Sequence, residues 1–354
     1  MSNSTVRNLI IIAVALSGLA WYASQRQQTS FAPTELGLFA PGLEPRLADI
    51  TRVEIQAAGK EPVVLEEAGD SRWIVPAKAG YDADLGKLRQ TLRTLATVRN
   101  VEAKTANPDL HARLKLTPVS DAEDTTVEIR AFADAEPVVA VLLGRTGQGG
   151  MYARHIEDKQ TWLIGEAIQP GREAGDWLDK ALVDIKRADL RRVAVTPVDG
   201  TPWSLQRPAA DTTDFALDPA PPEERDANGA NINRLLSTLA NLRLLDVRNA
   251  TDADTDTAWR TVRFESTSGM VVTARARAGE GGDYELMLDA TASPVAGAEA
   301  ADDADAARTV AARVESLRKR TAGRVFTIPS YPGVGMLLDY DAMLQALPED
   351  TADE

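Results

Sequence analysis

Residues 47–56 (LADITRVEIQ), 62–75 (PVVLEEAGDSRWIV) and 82–98 (DADLGKLRQTLRTLATV) form the stretch that decides the fold. In the first two runs apolar and polar side chains alternate, which is the pattern of strands with one buried face. In the third run leucines recur at helical spacing, behind aspartates that are able to cap a helix. The stretch therefore predicts short strands followed by an amphipathic helix.

A second version of this stretch lies in the other half of the chain. It consists of residues 189–198 (DLRRVAVTPV), 202–217 (PWSLQRPAADTTDFAL) and 231–245 (NINRLLSTLANLRLL), with Phe215 in the place that Trp73 holds in the first copy. A unit that recurs within one chain indicates a fold built twice.

Composition excludes several classes of function. The formal net charge of −14 and the pI of about 4.8 make a surface that repels phosphate backbones, so nucleic-acid binding is not expected. The absence of cysteine removes disulfides, thiolate metal sites and cysteine nucleophiles. With two histidines, His111 and His155, a His-rich metal site is excluded and a Ser-His-Asp triad has just two possible bases.

The segment Leu9 to Ala23 (LIIIAVALSGLAWYA) carries no charge, is preceded by Arg7, and ends with Trp21 and Tyr22 where an interfacial aromatic belt would lie. We predict a retained transmembrane anchor. The alternative is a cleaved signal peptide with a small-residue site around residues 18–20. Both interpretations export the rest of the chain, which predicts a bacterial inner-membrane protein with a single span and a periplasmic C-terminal body.

We predict an α+β protein in which the N-terminal transmembrane helix precedes two related subdomains, each a mainly antiparallel sheet with packed helices. The predicted parts are the anchor with its linker (1–30), the first subdomain (31–179), the second subdomain (180–346) and an acidic tail (347–354).

Two local predictions accompany this division. Gly175 to Ile185 is predicted to be a helix. Ala292 to Ala312, rich in Ala and Asp, is predicted to be a flexible or marginally helical excursion of the second subdomain.

The order of the elements also resembles a known family. The segments LGKLRQTLRTLATV (85–98), LHARLKLTP (110–118), VVAVLLG (138–144), MYARHI (151–156) and TWLI (161–164) follow one another as in the bacterial family called domain of unknown function 4340. The family is similar to proteins found beside gliding-motility-type ABC transport components. The resemblance implies an envelope protein that accompanies a transporter, and it supplies no catalytic residues.

The most prominent candidate for a site is the run from Met151 to His155. Because Arg154 and His155 alternate on a strand, one of them would face solvent beside Tyr152, as a binding surface or a general base. An ordinary strand with a polar outer face is the simpler interpretation. His111 is predicted to be exposed on a short helix.

Other candidates have structural interpretations as well. Residues 144–150 (GRTGQGG) lack the Gly-Lys-Ser/Thr ending of a phosphate loop and precede a strand, so we predict a mobile hairpin loop. The carboxylate pairs Glu66-Glu67 and Asp302-Asp303 are expected by chance among 53 acidic residues. The basic side chains from Lys186 to Arg192 are predicted to be exposed to solvent at the connection between a helix and a strand. The core is predicted to contain Trp73, Trp162, Trp177 and Trp203.

From these observations we predict a non-enzymatic accessory subunit of an ABC-type transport or gliding-motility-like complex, which acts through contacts with membrane-protein partners. No cofactor or metal is expected. The alternatives are an envelope carboxylate-dependent hydrolase, which requires a pocket with two close carboxylates, and a glycan- or peptide-binding module, which in the glycan case requires an exposed aromatic row.

The anchor can be tested on the mature protein. N-terminal sequencing or intact mass should give a protein that retains Leu9 to Ala23, since the small-residue site around residues 18–20 is a poor match for signal-peptide cleavage. A mature protein that begins near Trp21 would contradict the anchor.

Overall fold

The computed structural model describes residues 36–69, 71–121, 126–209, 212–256, 258–293 and 303–346. The predicted anchor and linker (1–30) and the predicted acidic tail (347–354) lie outside these ranges. Among the described residues, no helix is both long enough and apolar enough to cross a membrane.

The first large sheet is assembled from the strands that precede residue 165. Within the described ranges these are β1 (Arg52–Ala57), β2 (Val63–Glu67), β3 (Trp73–Val75), β4 (Tyr81–Asp82), β5 (Asn100–Ala103), β6 (Val127–Phe132), β7 (Pro137–Gly147), β8 (Gly150–His155) and β9 (Trp162–Ile164). They pair antiparallel in the order β4-β3-β2-β1-β6-β7-β8-β9-β5.

The remaining strands build a second large sheet and a small one. They are β10 (Ala181–Val183), β11 (Leu190–Thr196), β12 (Trp203–Gln206), β13 (Ala216–Asp218), β14 (Leu242–Arg243), β15 (Asp246–Asn249), β16 (Arg260–Ser266), β17 (Met270–Ala278), β18 (Tyr284–Ala292) and β19 (Arg324–Ile328). The small sheet pairs β10 with β14. The second large sheet has the order β13-β12-β11-β16-β17-β18-β19-β15.

The two large sheets share one strand order. If β4 is set aside, each strand of the first sheet has a counterpart at the same place in the second, from β3 and β13 at one end to β5 and β15 at the other. The register agrees too, because Val53 lies opposite Leu65 as Val193 lies opposite Leu205. The predicted boundary at residue 180 stays a prediction.

Along the chain, the helices are located mainly in the connections between strands. They are α1 (Leu85–Thr97), α2 (His111–Leu114), α3 (Gly229–Leu236), α4 (Asp252–Asp256), α5 (Asp303–Thr321) and α6 (Ser330–Leu337). Asp84 caps α1, since its carboxylate accepts a hydrogen bond from the backbone N–H of Lys87 at 2.9 Å. The α+β class with mainly antiparallel sheets is therefore confirmed.

Burial follows the two periodicities of the sequence. In β1, Val53 and Ile55 are buried and the residues between them are partly exposed. The predicted burial of Leu88 and Leu92 on α1, and of Leu235 and Leu239 in the second copy, is confirmed. These residues belong to one apolar core cluster that extends through both large sheets.

A polar joint around Tyr81 ties the edge of the first sheet to the second. The buried Tyr81 ring makes an edge contact with Phe326 of β19, with ring centroids 5.7 Å apart. The Tyr81 hydroxyl accepts a hydrogen bond from Arg320 of α5 at 3.1 Å, and Lys78 pairs with Asp246 of β15 at 2.6 Å. Burial raises the pKa of Tyr81, which Arg320 partly offsets.

The predicted helix from Gly175 to Ile185 is wrong. Ala174–Trp177 forms a 3-10 helix and the chain then extends into β10. Leu178, Leu182 and Ile185 have helical spacing and are buried, but the backbone that carries them is extended. The carbonyl oxygen of Lys180 in this segment accepts a hydrogen bond from the Leu244 N–H at 2.9 Å. Pairing with a distant strand outweighs the local pattern here.

Of the predicted flexible or marginally helical excursion from Ala292 to Ala312, residues 294–302 lie outside the described ranges, and the second half belongs to a long, packed helix. Helix α5 begins at Asp303, continues to Thr321 and buries Val310, Val314 and Leu317. Its alanines favour a helix, and apolar residues beyond the predicted end supply the buried face. Since β19 pairs with β18 only from Tyr284 to Leu286, α5 packs along the remainder of β18.

The core can be tested with Leu92→Asp. Placing a charge at this site, which is 6% exposed, should lower the free energy of unfolding; we expect about 4 kcal/mol or more. Gln90→Asp, an exposed position on the same helix, should change it by no more than about 1 kcal/mol. Urea unfolding followed by circular dichroism measures both. Equal stability of the two variants would contradict this packing.

Candidate functional site

Residues 108–121 cover part of the outer face of the first sheet. Leu116 and Val119 pack against Leu142 of β7 and form a small second core. Gly144 of β7 makes this approach possible, because a Cβ atom there would lie 2.3 Å from the carbonyl oxygen of Leu114. The cover is therefore apolar, and it depends on one glycine.

Arg154 holds this cover in place from below. The residue is 6% exposed, and its guanidinium donates to the backbone oxygens of Leu116 and Ile156, both at 2.9 Å, and of Asp158 at 3.1 Å. Burial lowers the pKa of Arg154, although an arginine stays charged under ordinary conditions. The run from Met151 to His155 lies in strand β8, as the simpler interpretation predicted, and backbone carbonyls engage the side chains of both Arg154 and His155.

In each of the two histidines, the ring nitrogen Nε2 lies within hydrogen-bond distance of a backbone carbonyl oxygen. His155 stacks on Phe39 with centroids 4.7 Å apart, and its Nε2 lies 2.8 Å from the Phe39 carbonyl oxygen. The prediction that His111 is exposed is wrong. It is 5% exposed, with its Nε2 2.9 Å from the Lys159 carbonyl oxygen, because the start of α2 faces the β8–β9 turn.

The glycine-rich segment 144–150 is the end of β7, a tight turn and the start of β8. This confirms the predicted hairpin. A Cβ atom on Gly150 would lie 1.8 Å from the Ile164 carbonyl oxygen, so this glycine lets two strands approach closely. Beside it, Arg145 lies 5.0 Å from the centroid of the Tyr152 ring.

In the second sheet, residues 250–256 and Trp259 lie at the corresponding place between β15 and β16, and ion pairs hold them to the sheet. We call Arg248, Asp254, Arg277 and Glu285 the ion-pair cluster. Arg248 donates to both carboxylate oxygens of Asp254, at 2.7 and 2.9 Å, and to Oε1 of Glu285 at 2.8 Å. Arg277 donates to Asp254 at 2.8 Å and to Oε2 of Glu285 at 2.7 Å.

Local hydrogen bonds fix the buried member of the cluster. The side chain of Asp254 is 3% exposed, and its Oδ2 accepts from the backbone N–H of Thr251 at 2.9 Å and from the Thr251 hydroxyl at 3.0 Å. The Trp259 indole donates to the Asp254 carbonyl at 2.7 Å, while Arg277 stacks over that ring at 4.2 Å. Sequence reasoning missed this cluster because its four members come from separate elements.

The cluster lowers the pKa of both carboxyl groups. Hydrogen bonds from Arg248 hold the pKa of Asp254 well below its usual range, although burial opposes them. Burial alone would raise the pKa of Glu285, but the hydrogen bonds from Arg248 and Arg277 outweigh it and the net direction is downward. Both groups are therefore ionised near neutral pH, and neither is able to act as a general acid.

Two wide hollows lie beside the cluster. One, of about 800 Å³, is lined by the exposed sides of Arg248, Arg277 and Glu285. The other, of about 760 Å³, reaches the Lys78–Asp246 pair at the joint between the sheets. The hollows share the lining residues Asp283 and Thr327, so they adjoin each other, and we refer to them together as the groove.

The other predicted candidates serve the fold. In the run from Lys186 to Arg192, Arg191 pairs with Glu265 at 3.0 Å and Arg187 bonds to the Thr213 carbonyl at 3.1 Å. The pair Glu66-Glu67 belongs to β2, where it lies opposite β3, and Asp302 lies outside the described ranges. Burial of Trp73, Trp177 and Trp203 is confirmed, and Trp162 is partly buried. No group of three metal-ligating side chains is found in the described part of the chain.

The ion-pair cluster can be tested with Asp254→Asn. Removing the buried charge leaves two arginines with one carboxylate, which should cost about 3–5 kcal/mol of unfolding free energy. Asp305→Asn breaks a pair whose side chains are 79% and 90% exposed, and should cost less than about 0.5 kcal/mol. Urea unfolding at pH 7 compares both with the parent.

The same variant gives a signed pH dependence. Because the pKa of Asp254 is lowered in the folded state, its contribution is complete above the unfolded value of about 3.9 and declines as the pH falls below it. The gap between the parent and Asp254→Asn should therefore narrow below that pH. A constant gap would contradict the assignment.

Comparison with known proteins identifies a family. A family model described as "Domain of unknown function (DUF4340)" matches residues 73–258, which is just over half of the chain. Searches of curated proteins and of solved structures found no match. The matched residues run from β3 of the first sheet to the end of the segment that carries α4 in the second. The chain is therefore a member of the DUF4340 family, as the order of its sequence elements indicated.

Proposed function

We propose that this protein is a membrane-anchored, periplasm-facing accessory subunit of an ABC-type transport or gliding-motility-like complex in the bacterial envelope. It acts through contacts with membrane-protein partners and not by catalysis. The resemblance of its family to proteins that accompany such transporters supports the setting. One observation of the structure supports the mode of action: every carboxylate oxygen of the ion-pair cluster already accepts a hydrogen bond within the cluster.

The cluster borders the groove, and its charges are paired with one another. All four carboxylate oxygens of Asp254 and Glu285 accept hydrogen bonds from guanidinium groups. A carboxylate-dependent hydrolase needs one carboxyl group with a raised pKa or one with a free oxygen near its substrate. Paired charges of this kind stabilise a shape and provide specific contacts, which suits a binding subunit.

The anchor supports the setting in a second way. The charge-free segment Leu9 to Ala23 would confine the body to the plane of the inner membrane. Confinement raises the effective concentration of the body toward other membrane proteins, without any new contact. A subunit that binds a transporter benefits from this, whereas an enzyme with a diffusing substrate gains little.

We also propose that the body consists of two related subdomains, residues 31–179 and 180–346. The shared strand order and the matching register of Val53 with Leu65 and Val193 with Leu205 support this duplication. Two similar subdomains with different outer covers give one chain two different surfaces for contacts.

The proposal can be tested by exchanging the anchor. Full-length protein is purified in mild detergent from cells that express either the natural segment Leu9 to Ala23 or an unrelated transmembrane segment of equal length. We expect the exchange to lower the amount of co-purified membrane partner by about tenfold or more. Thermal melting of the body should stay unchanged.

A variant with the residues of Leu9 to Ala23 in shuffled order is the matched control for hydrophobicity and length. If the shuffled anchor also lowers the amount of co-purified partner, specific side-chain contacts of the natural helix account for the association. An undiminished partner with all three anchors, or turnover of a substrate by the purified body that Asp254→Asn abolishes without unfolding it, would overturn the proposal.

A further inference from the structure

We infer that a clasp at the end of α5 locks the two large sheets into one rigid body. The clasp consists of Tyr81, Asp82, Asp179 and Arg320. In it, the Arg320 guanidinium holds β4, a terminal strand of the first sheet, to the second half of the chain. Contacts between the sheets carry this inference, which is independent of the proposed function.

The polar joint between the sheets is narrow. Among the described residues, the hydrogen bonds and ion pairs between the two sheets converge on residues 78–82 of the first half. Lys78 pairs with Asp246 of β15 at 2.6 Å. Arg324 at the start of β19 donates to the Ala79 carbonyl at 3.2 Å. A joint confined to so few residues would act as a pivot if its contacts did not fix a direction.

Helix α5 is a firm base for the clasp, because it is packed on the second sheet. Its side chains Val310, Val314 and Leu317 are buried, and Arg318 pairs with Asp289 of β18 at 3.4 Å. Arg320 follows in the last turn of the same helix. The residue that reaches the first sheet is thus carried by a packed element of the second.

Arg320 bonds both to the edge strand and to the chain that connects the halves. Its guanidinium donates to the Tyr81 hydroxyl at 3.1 Å, to the Asp179 carboxylate at 3.3 Å and to the Ala181 carbonyl oxygen. Its Nε lies 3.6 Å from a carboxylate oxygen of Asp82. The Asp179 N–H in turn donates to the Asp82 carbonyl at 2.9 Å. Since the donors of a guanidinium point in fixed directions, these partners define how β4 is oriented relative to α5.

The shared apolar core alone does not supply this orientation. Burial of apolar surface is non-directional, so two sheets that share a core retain some freedom to slide or tilt. Tyr81 is 1% exposed, and its ring makes the edge contact with Phe326 while its hydroxyl bonds to Arg320. A tilt of the first sheet would break that hydrogen bond and leave a buried hydroxyl unpaired, which is unfavourable. The clasp therefore opposes the motions that the core permits.

A locked joint gives the body one composite surface. The apolar cover at residues 108–121 lies in the first half and the ion-pair cluster in the second, and a rigid joint keeps their separation constant. A partner that contacts both would then bind without the entropic cost of ordering two mobile halves.

Distance measurements test the lock. Because the chain has no cysteine, spin labels attach only where cysteines are introduced. Gln90→Cys on α1 and Arg275→Cys on β17 place one label in each half at exposed positions of the full-length protein in mild detergent. Double electron–electron resonance should give a narrow distance distribution. Arg320→Ala should widen it about twofold or more, since domains joined by a small interface move relative to each other by default.

Two further variants make the test specific. Arg318→Ala is the matched control, because Arg318 also lies in the last turn of α5 but pairs with Asp289 within the second half, with side chains 56% and 62% exposed. It should leave the distribution as narrow as in the parent. Arg320→Lys keeps the charge but loses the planar fork, so it should widen the distribution too. This milder change decides the question if circular dichroism shows that Arg320→Ala does not fold.

Three results would overturn the clasp. A broad distribution in the parent would mean that the sheets are not locked. A narrow distribution in every Arg320 variant that folds would mean that the shared core fixes the sheets without the clasp. Equal widening by Arg318→Ala would mean that a general loosening of α5 is responsible.

Discussion

The constraint on which the rest of the structure depends is a single apolar core that both large sheets must share. Each strand alternates between a buried and an exposed side chain, so each sheet has one face to bury. The buried faces, with Ile55 and Ile129 from the first sheet and Val193 and Phe264 from the second, belong to one cluster. The Tyr81 joint and the Lys78–Asp246 pair lie where the two halves of that core meet. Because the inner faces are used for the core, only outer faces and edges remain for contacts.

The two large sheets share one strand order, but their outer faces are covered by different kinds of contact. In the first sheet the cover is sealed by Leu116 and Leu142 and anchored by Arg154 through backbone carbonyls. In the second, Asp254 and its two arginines replace this apolar seal. An apolar seal contains no ion pair for salt to screen, whereas a partly exposed ion-pair cluster is weakened by added salt. The two halves therefore respond differently to their surroundings although their strands are arranged alike.

Much of the fold could be predicted because its local and global signals agree. Period-two alternation in β1 and β2 and the leucine spacing of α1 each reflect contacts within a short segment, and the recurrence near Leu190 revealed the second sheet. The features that could not be predicted share one cause. The path from Gly175 to Ile185 is set by pairing with β14, and α5 is fixed by packing on β18. The ion-pair cluster joins residues 248, 254, 277 and 285, so no single window of sequence contains it.

The placement of β19 has a consequence for the order in which the protein folds as it is synthesised. β19 lies between β18 and β15, yet among the described strands it is the last to be synthesised. β15 therefore waits unpaired while some 75 residues are added, from Asn249 to Arg324, before its neighbour exists. The first sheet has the same delay on a smaller scale, since β5 waits for β9. Each sheet is therefore completed only when its final strand has been synthesised. A chain that is released before residue 324 has a second sheet whose β18 edge is unpaired and prone to aggregation.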